Sequence, residues 1–263
     1  MLDERIEVEL ELPLAWITIN RPEKHNSFAT TMWEALIERI HELEDHPDVR
    51  VILFKGAGDK AFSAGADIDG FRDKVDSEDE ALTKVDKPTE SAFLVTERCK
   101  KPTISVIQGI CFGGGCAIAL STDFRLASDD SRFAITPVRL GLGYPYEGVR
   151  RAVEELGPSN ARLVLMTARR FNADEAKEVG IVHEVHSREN LMDAAKKLGM
   201  ELAANAPKSV ATIKESVAQA LLPESERDLE NLDAMIKDCF DSEDFREGLK
   251  AFNEKRPPEF RGR

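Results

Sequence analysis

Two glycine-bearing turns are the segments of this chain best suited to chemistry. Phe62-Ser63-Ala64-Gly65-Ala66-Asp67-Ile68 follows a strand that ends near Lys55, and Gly109-Ile110-Cys111-Phe112-Gly113-Gly114-Gly115-Cys116-Ala117 runs from a strand into an apolar helix. Three successive glycines opening a helix let the backbone approach a ligand closely, with free N–H groups and the positive end of the helix dipole directed at it. The phosphate-cradling versions of this geometry do not fit. A dinucleotide fingerprint needs GxGxxG after the first strand and an acid about 20 residues further on. A Walker loop needs GK[ST] after its glycines, where this chain has Cys116-Ala117. Two backbone donors converging from separate turns would instead form an oxyanion hole, which stabilises negative charge developing on a carbonyl oxygen.

A second stretch holds both tyrosines of the chain, Tyr144 and Tyr146, followed by Glu147. Two readings stay open there. Either the rings pack and Glu147 caps the following helix, or Tyr144 is a hydrogen-bond donor and Glu147 the local proton carrier. Asp67 is expected to cap an adjacent helix through its carboxylate. His183 and His186 flank the end of an expected strand and face opposite sides of it, so no metal site is expected.

Alternating elements must position these residues. Ile6, Val8, Leu10 and Leu12 alternate with Glu7, Glu9 and Glu11, a strand with one wet face, and a second strand follows Pro13 through Trp16, Ile17 and Ile19. Met32, Leu36, Ile40 and Leu43 recur at helical spacing until Pro47 closes the segment. Val49–Lys55 reads as a buried strand. The outline then repeats: helix over the eighties and nineties, strand near Thr103–Ile107, glycine turn, short helix, strand near Phe124–Ala127. Strands alternating with helices predict an α/β core. Beyond residue 158 only Gly180–Val185 reads as a strand, and the remainder is helical, with sets such as Val210, Ile213, Val217, Leu221 and Leu229, Leu232, Ile236, Phe240. The expected division is a core over residues 1–190 and a helical C-terminal region over 191–263. Asp73–Glu90, with seven acidic and three basic residues, reads as a solvated segment or a flap over a ligand site.

The 263 residues carry 36 Lys+Arg against 49 Asp+Glu, a net charge of −13, which argues against a general binder of nucleic-acid backbones. No apolar run reaches the roughly 18 residues of a membrane span, and MLDERIEVEL lacks the layout of a signal peptide. Cys99, Cys111, Cys116 and Cys239 form no CxxC pair, so reduced thiols and a cytoplasmic location are expected. Positive charge concentrates locally: Lys250–Arg263 holds five basic residues and two acidic ones, and Arg21, Lys24, Lys100 and Lys101 add to it.

The ordered set Asn20-Arg21-Pro22-Glu23-Lys24-His25-Asn26-Ser27, AFSAGADI, KPTISVIQG…GGGC and the tail AFNEKRPPEF resembles the crotonase superfamily, the enoyl-CoA hydratases and isomerases, from the first strand to the last residues. The resemblance implies a spiral of ββα units with a helical C-terminal trimerisation region, and assembly as a homotrimer or a dimer of trimers. It implies an acyl-CoA ligand, with coenzyme A carried as part of the substrate and no other cofactor. It places the oxyanion-hole donors at the amides of Ala66 and Gly114. It assigns the adenine-pantetheine arm to Lys24 and Asn26 and to the backbone near Ala64 and Ile68, with Phe252 and Lys255 added from the tail, on the same or a neighbouring subunit. A solubilising basic C-terminus is the other reading of that tail.

The chain departs from the family pattern where the hydratase glutamates stand, since those positions are Ala117 and Pro137. Thr136-Pro137-Val138-Arg139-Leu140-Gly141-Leu142-Gly143-Tyr144 is similar to the TP..LG..Y motif of methylmalonyl-CoA decarboxylases, as is Asp241–Gly248 to their tail, although those enzymes carry a histidine at position 66 and a glutamate at 117. The leading expectation is a family enzyme that stabilises the enolate of an acyl-CoA. The alternatives are a decarboxylase or other C–C lyase using Tyr144, a non-catalytic acyl-CoA binder, and an assembly partner that uses only its oligomer surface.

Overall fold

The computed structural model describes residues 2–67 and 87–263. Ile68 and the acidic stretch as far as residue 86 lie outside the described residues. The chain opens with an antiparallel hairpin of β1 (Ile6–Glu11) and β2 (Leu14–Ile19), then α1 (Thr30–Asp45). Three turns of similar design follow. β3 (Val51–Gly56) and β4 (Ala61–Ser63) precede α2 (Lys87–Arg98); β5 (Thr103–Ile107) and β6 (Ile110–Phe112) precede α3 (Gly114–Ser121); β7 (Phe124–Ser128) and β8 (Arg132–Ala134) precede α4 (Tyr146–Thr167).

In each turn the first strand joins one sheet and the second joins another. With β9 (Phe171–Asn172) and β10 (Glu184–His186), the described sheets have the orders β1-β2-β3-β5-β7-β10 and β4-β6-β8-β9. From β2 onward the large sheet is parallel, and in the small sheet β4, β6 and β8 are parallel. This is the ββα spiral that the resemblance implies. The residues of β2 and β5 are buried throughout, as expected of central strands covered on both faces. α1 buries Met32, Leu36, Ile40 and Leu43 as its periodicity predicts, together with Trp33 and Ala35.

The run Gly180–Val185 departs from expectation. After α5 (Ala173–Glu178), Ile181 and Val182 are buried, but both amides bond back to the Ala176 carbonyl, so they close that helix and the strand begins only at Glu184. α6 (Leu191–Ala203), assigned from sequence to the C-terminal region, lies against the large sheet, with Leu191, Ala195 and Ala203 in one core with Trp16, Leu53 and Val106. α7 (Pro207–Leu221), α8 (Leu229–Asp241) and α9 (Glu243–Glu254) follow. They leave Ile213, Val217, Leu221, Ile236, Phe240 and Leu249 exposed.

A buried cation ties the far side of the spiral. Arg125 in β7 is 1% exposed and donates to the carbonyls of Ile181 and Thr122 (both 2.8 Å) and to the Glu155 carboxylate (2.6 Å) of α4. Its removal leaves two carbonyls and part of a carboxylate without a donor in a poorly hydrated interior. Arg125→Met is expected to lower the unfolding free energy by about 3 kcal/mol in a urea titration. A loss below about 1 kcal/mol would show that Arg125 does not fasten these elements.

Candidate active site

β4 and β6 are parallel neighbours, so their C-terminal ends lie side by side and the two glycine turns leave the small sheet together. No side chain separates them. A Cβ on Gly65, which has φ +91°, would fall 2.7 Å from the Gly114 amide nitrogen and 2.8 Å from the Phe112 carbonyl oxygen. A Cβ on Gly115 would fall 2.5 Å from the Ser63 carbonyl oxygen. Both positions therefore require glycine, because backbone meets backbone there.

The direction of each candidate donor follows from peptide planarity, since the C=O and N–H of one trans peptide point oppositely. The Gly65 carbonyl accepts from the Phe28 amide at 2.8 Å, which turns the Ala66 N–H away from Phe28. The Asp67 amide then donates to the Phe28 carbonyl at 2.9 Å, completing an isolated parallel bridge around Ala66. On the other turn the Gly113 carbonyl accepts from the Ala117 amide at 3.1 Å, so the Gly114 N–H points out of the start of α3 along the helix axis. Ala66 and Gly114 are close neighbours, because a Cβ on Gly114 would fall 3.5 Å from the Ala66 nitrogen. Two adjacent N–H groups leaving different turns suit one carbonyl oxygen.

The floor beneath them was not foreseen. A Cβ on Gly114 would lie 3.2 Å from the Trp33 ring, which stacks on Phe28 with centroids 3.8 Å apart and meets Phe93 edge-on. A Trp one residue from Met32 and three from Leu36, on the apolar face of α1, was the available signal.

Asn26 is fully buried with φ +57°, and its side chain is occupied. Its Oδ1 accepts from the Arg21 amide at 2.9 Å, and its Nδ2 donates to the carbonyls of Ala57 (2.9 Å) and Ala61 (2.7 Å). Ser63 Oγ donates to the Asn26 carbonyl at 2.8 Å, and the Ala64 amide donates to the His25 carbonyl at 2.9 Å. Lys24, Asn26 and Ala64 thus sit in one unit beside the first glycine turn, with the Lys24 residue exposed and Asn26 as its buried staple. Phe252 and Lys255 are exposed at the C-terminal end of α9, and Ile68 lies outside the described residues.

Ala117 is buried in α3, and Pro137 opens a short 3-10 turn, Pro137–Leu140, so neither position offers an acid or base. Tyr144 packs against the main core, its ring fitted over Gly148, where a Cβ would fall 2.7 Å from a ring carbon. Its hydroxyl is buried without a hydrogen-bond partner among the described residues. Burial first, and the nearby Cys116 and Cys111 thiols second, push the phenol well above its ordinary range, so it is a neutral donor. Tyr146 is exposed. Glu147 does not cap α4: no side-chain bond caps that helix, and the carboxylate instead lies 2.8 Å from Arg150 Nε. Arg150 also holds Glu97 (2.6 Å) and Glu154 (2.7 Å). Asp67 pairs with Arg21 Nη1 at 2.7 Å, and the helix it is expected to cap falls outside the described residues.

Residues 9–263 match the family model described as enoyl-CoA hydratase/isomerase. This chain belongs to the enoyl-CoA hydratase/isomerase family. It is 32% identical to a short-chain-enoyl-CoA hydratase of Clostridium acetobutylicum, covering 95% of this chain and 94% of that one. It is 36% identical to a carnitinyl-CoA dehydratase of Citrobacter koseri, covering 95% and 96%. A solved structure of a putative family protein from Hyphomonas neptunium superposes with a TM-score of 0.91 at 33% identity, covering 98% of both chains. The family acts on acyl-CoA thioesters, and the mixed α/β spiral with its helical C-terminal region is the crotonase fold.

Asn26 separates a staple from a ligand contact. Asn26→Ala is expected to cost about 3 kcal/mol of stability in chemical unfolding, because one buried carbonyl, one part-buried carbonyl and one amide lose their partner. Unchanged stability with weakened acetyl-CoA binding would make Asn26 a direct contact instead.

Proposed function

We propose that this chain binds an acyl-CoA thioester with its carbonyl oxygen between the amides of Ala66 and Gly114 and stabilises the enolate formed there. The observation that carries this reading is the adjacency of the two N–H groups on neighbouring turns, each aimed by a hydrogen bond on the far side of its own peptide. As charge moves onto the oxygen, these fixed dipoles interact more strongly with the transition state than with the substrate. Lys24 and the backbone near Ala64 line the adenine-pantetheine arm, with Asn26 holding their turn. Phe252 and Lys255 of the tail approach it from the same or a neighbouring subunit. The exposed apolar face of α7–α9 supports self-association, as a homotrimer or a dimer of trimers.

A second, finer reading concerns how the enolate arises. The relatives include a hydratase and a dehydratase, but adding or removing water calls for an acid and a base near the acyl carbons. Here Ala117 and Pro137 stand at the two family positions, and Glu147 is held by Arg150. The unpartnered Tyr144 hydroxyl favours a C–C cleavage such as decarboxylation. In that reaction the bond between the α-carbon and a carboxylate breaks, and its electron pair passes into the thioester to give the enolate. Carbon dioxide leaves, and the α-carbon then takes up a proton. Tyr144 would donate a hydrogen bond that orients the departing carboxylate, without itself becoming charged.

Incubation with crotonyl-CoA, methylmalonyl-CoA and related thioesters, followed by mass spectrometry, tests both readings. Conversion of the carboxylated thioester is expected, and Tyr144→Phe should lower its turnover roughly 100-fold, the scale of one lost transition-state donor. Wild-type rates in Tyr144→Phe would remove the donor role. Acetyl-CoA binding without conversion of any thioester would leave a non-catalytic binder, and absent binding at low salt would reject the ligand class. Sedimentation velocity on the purified chain tests assembly; a monomer at micromolar concentration would refute it.

A further inference from the structure

One ion pair is made by the residue that follows Ala66. Arg21 Nη1 lies 2.7 Å from Asp67 Oδ2, with the two side chains only 13% and 18% exposed. The same Nη1 donates to the Ser27 carbonyl (3.3 Å) and hydroxyl (3.4 Å), and Arg21 Nε lies 3.8 Å from the exposed Glu23 carboxylate. Arg21 is itself anchored through its backbone. Its amide donates to Asn26 Oδ1 and its carbonyl accepts from the Asn26 amide, both at 2.9 Å. The guanidinium therefore reaches from the fixed turn over residues 21–27 to the residue that follows Ala66.

That residue needs holding. The Gly65 amide donates to Ser63 Oγ at 3.1 Å; beyond it the Ala66 N–H is oriented by one isolated bridge, two hydrogen bonds to Phe28, and no regular strand pairing continues it among the described residues. Two bonds in a turn are easily frayed, whereas a donor in an oxyanion hole must stay aimed within a few tenths of an ångström. A largely buried, charge-assisted bond to the next side chain restrains the residue that follows Ala66, and through it the turn that carries the donor.

We propose that Arg21 is a positioning residue, which acts through Asp67 to keep the Ala66 N–H aimed at the thioester oxygen. This rests on the oxyanion-hole reading above. The ion pair touches no reacting atom. Its contribution is to fix the donor, so its loss weakens carbonyl polarisation while leaving the bound CoA in place.

The test reads polarisation directly, through the infrared carbonyl stretch of acetyl-CoA labelled with ¹³C at the thioester carbon and bound to the full chain. Acetyl-CoA titration and thermal unfolding are measured in parallel. In the wild type the stretch is expected to lie below its value in water. Arg21→Gln and Asp67→Asn should each lose most of that downshift, with Kd for acetyl-CoA changed by less than about threefold. The double variant should lose no more than either single one, and Arg21→Lys, which keeps the charge, should recover part of the shift. A wild-type stretch in folded, ligand-bound Arg21→Gln overturns the proposal and leaves the oxyanion hole standing. Loss of acetyl-CoA binding in a folded Arg21→Gln also overturns it, making Arg21 a ligand contact. Absence of any downshift in the wild type rejects the oxyanion hole itself. If Arg21→Gln does not fold, the isosteric Asp67→Asn decides by the same criteria.

Discussion

The site depends on one close approach of main chain to main chain. Gly65 meets the Gly114 amide and the Phe112 carbonyl with no room for a side chain, because β4 and β6 are adjacent parallel strands whose ends emerge together. A helix dipole or a free N–H is common in proteins. Two N–H groups from different turns, placed beside one another and aimed outward, are not. That placement requires both turns to be locked on the sides facing away from the ligand. Phe28 and Asn26 lock the first turn, and the opening hydrogen bond of α3 locks the second.

Preorganised donors of this kind stabilise charge as it forms, which leaves open how it forms. The surrounding residues bear on that question by what they lack. Adding or removing water calls for an acid and a base, and this chain has a methyl group at 117 and a proline at 137. The Tyr144 hydroxyl, buried without a partner among the described residues, is a neutral phenol. On the proposed reading, N–H donors without an acid–base pair suit reactions whose electron pair comes from bond cleavage rather than proton removal.

Much of this was legible in the sequence for identifiable reasons. Period-2 and period-3.6 patterns located the hairpin and α1, short apolar runs located β3, β5 and β7, and the glycine clusters marked the place where backbone approaches backbone. Other features depended on distant partners and were not legible. Asn26, assigned by resemblance to the CoA arm, becomes a staple only once the carbonyls of Ala57 and Ala61 fold onto it. Arg125 reads as one charge in an apolar strand, and only the return of Ile181 and Glu155 makes it an interior clasp. Ile181 and Val182 carry a strand's composition yet close a helix, because burial alone does not choose between the two. Glu147 was the avoidable miss: its spacing to Arg150, and that of Arg150 to Glu154, is the i,i+3 and i,i+4 pattern of charges along one helix face.

The most direct test of the central claim is a crystal structure of the chain with a non-hydrolysable acyl-CoA analogue. The account predicts the acyl oxygen about 2.7–3.1 Å from both the Ala66 and Gly114 nitrogens, the range expected of oxyanion-hole donors. An analogue bound with its acyl oxygen bonded to neither amide would contradict it.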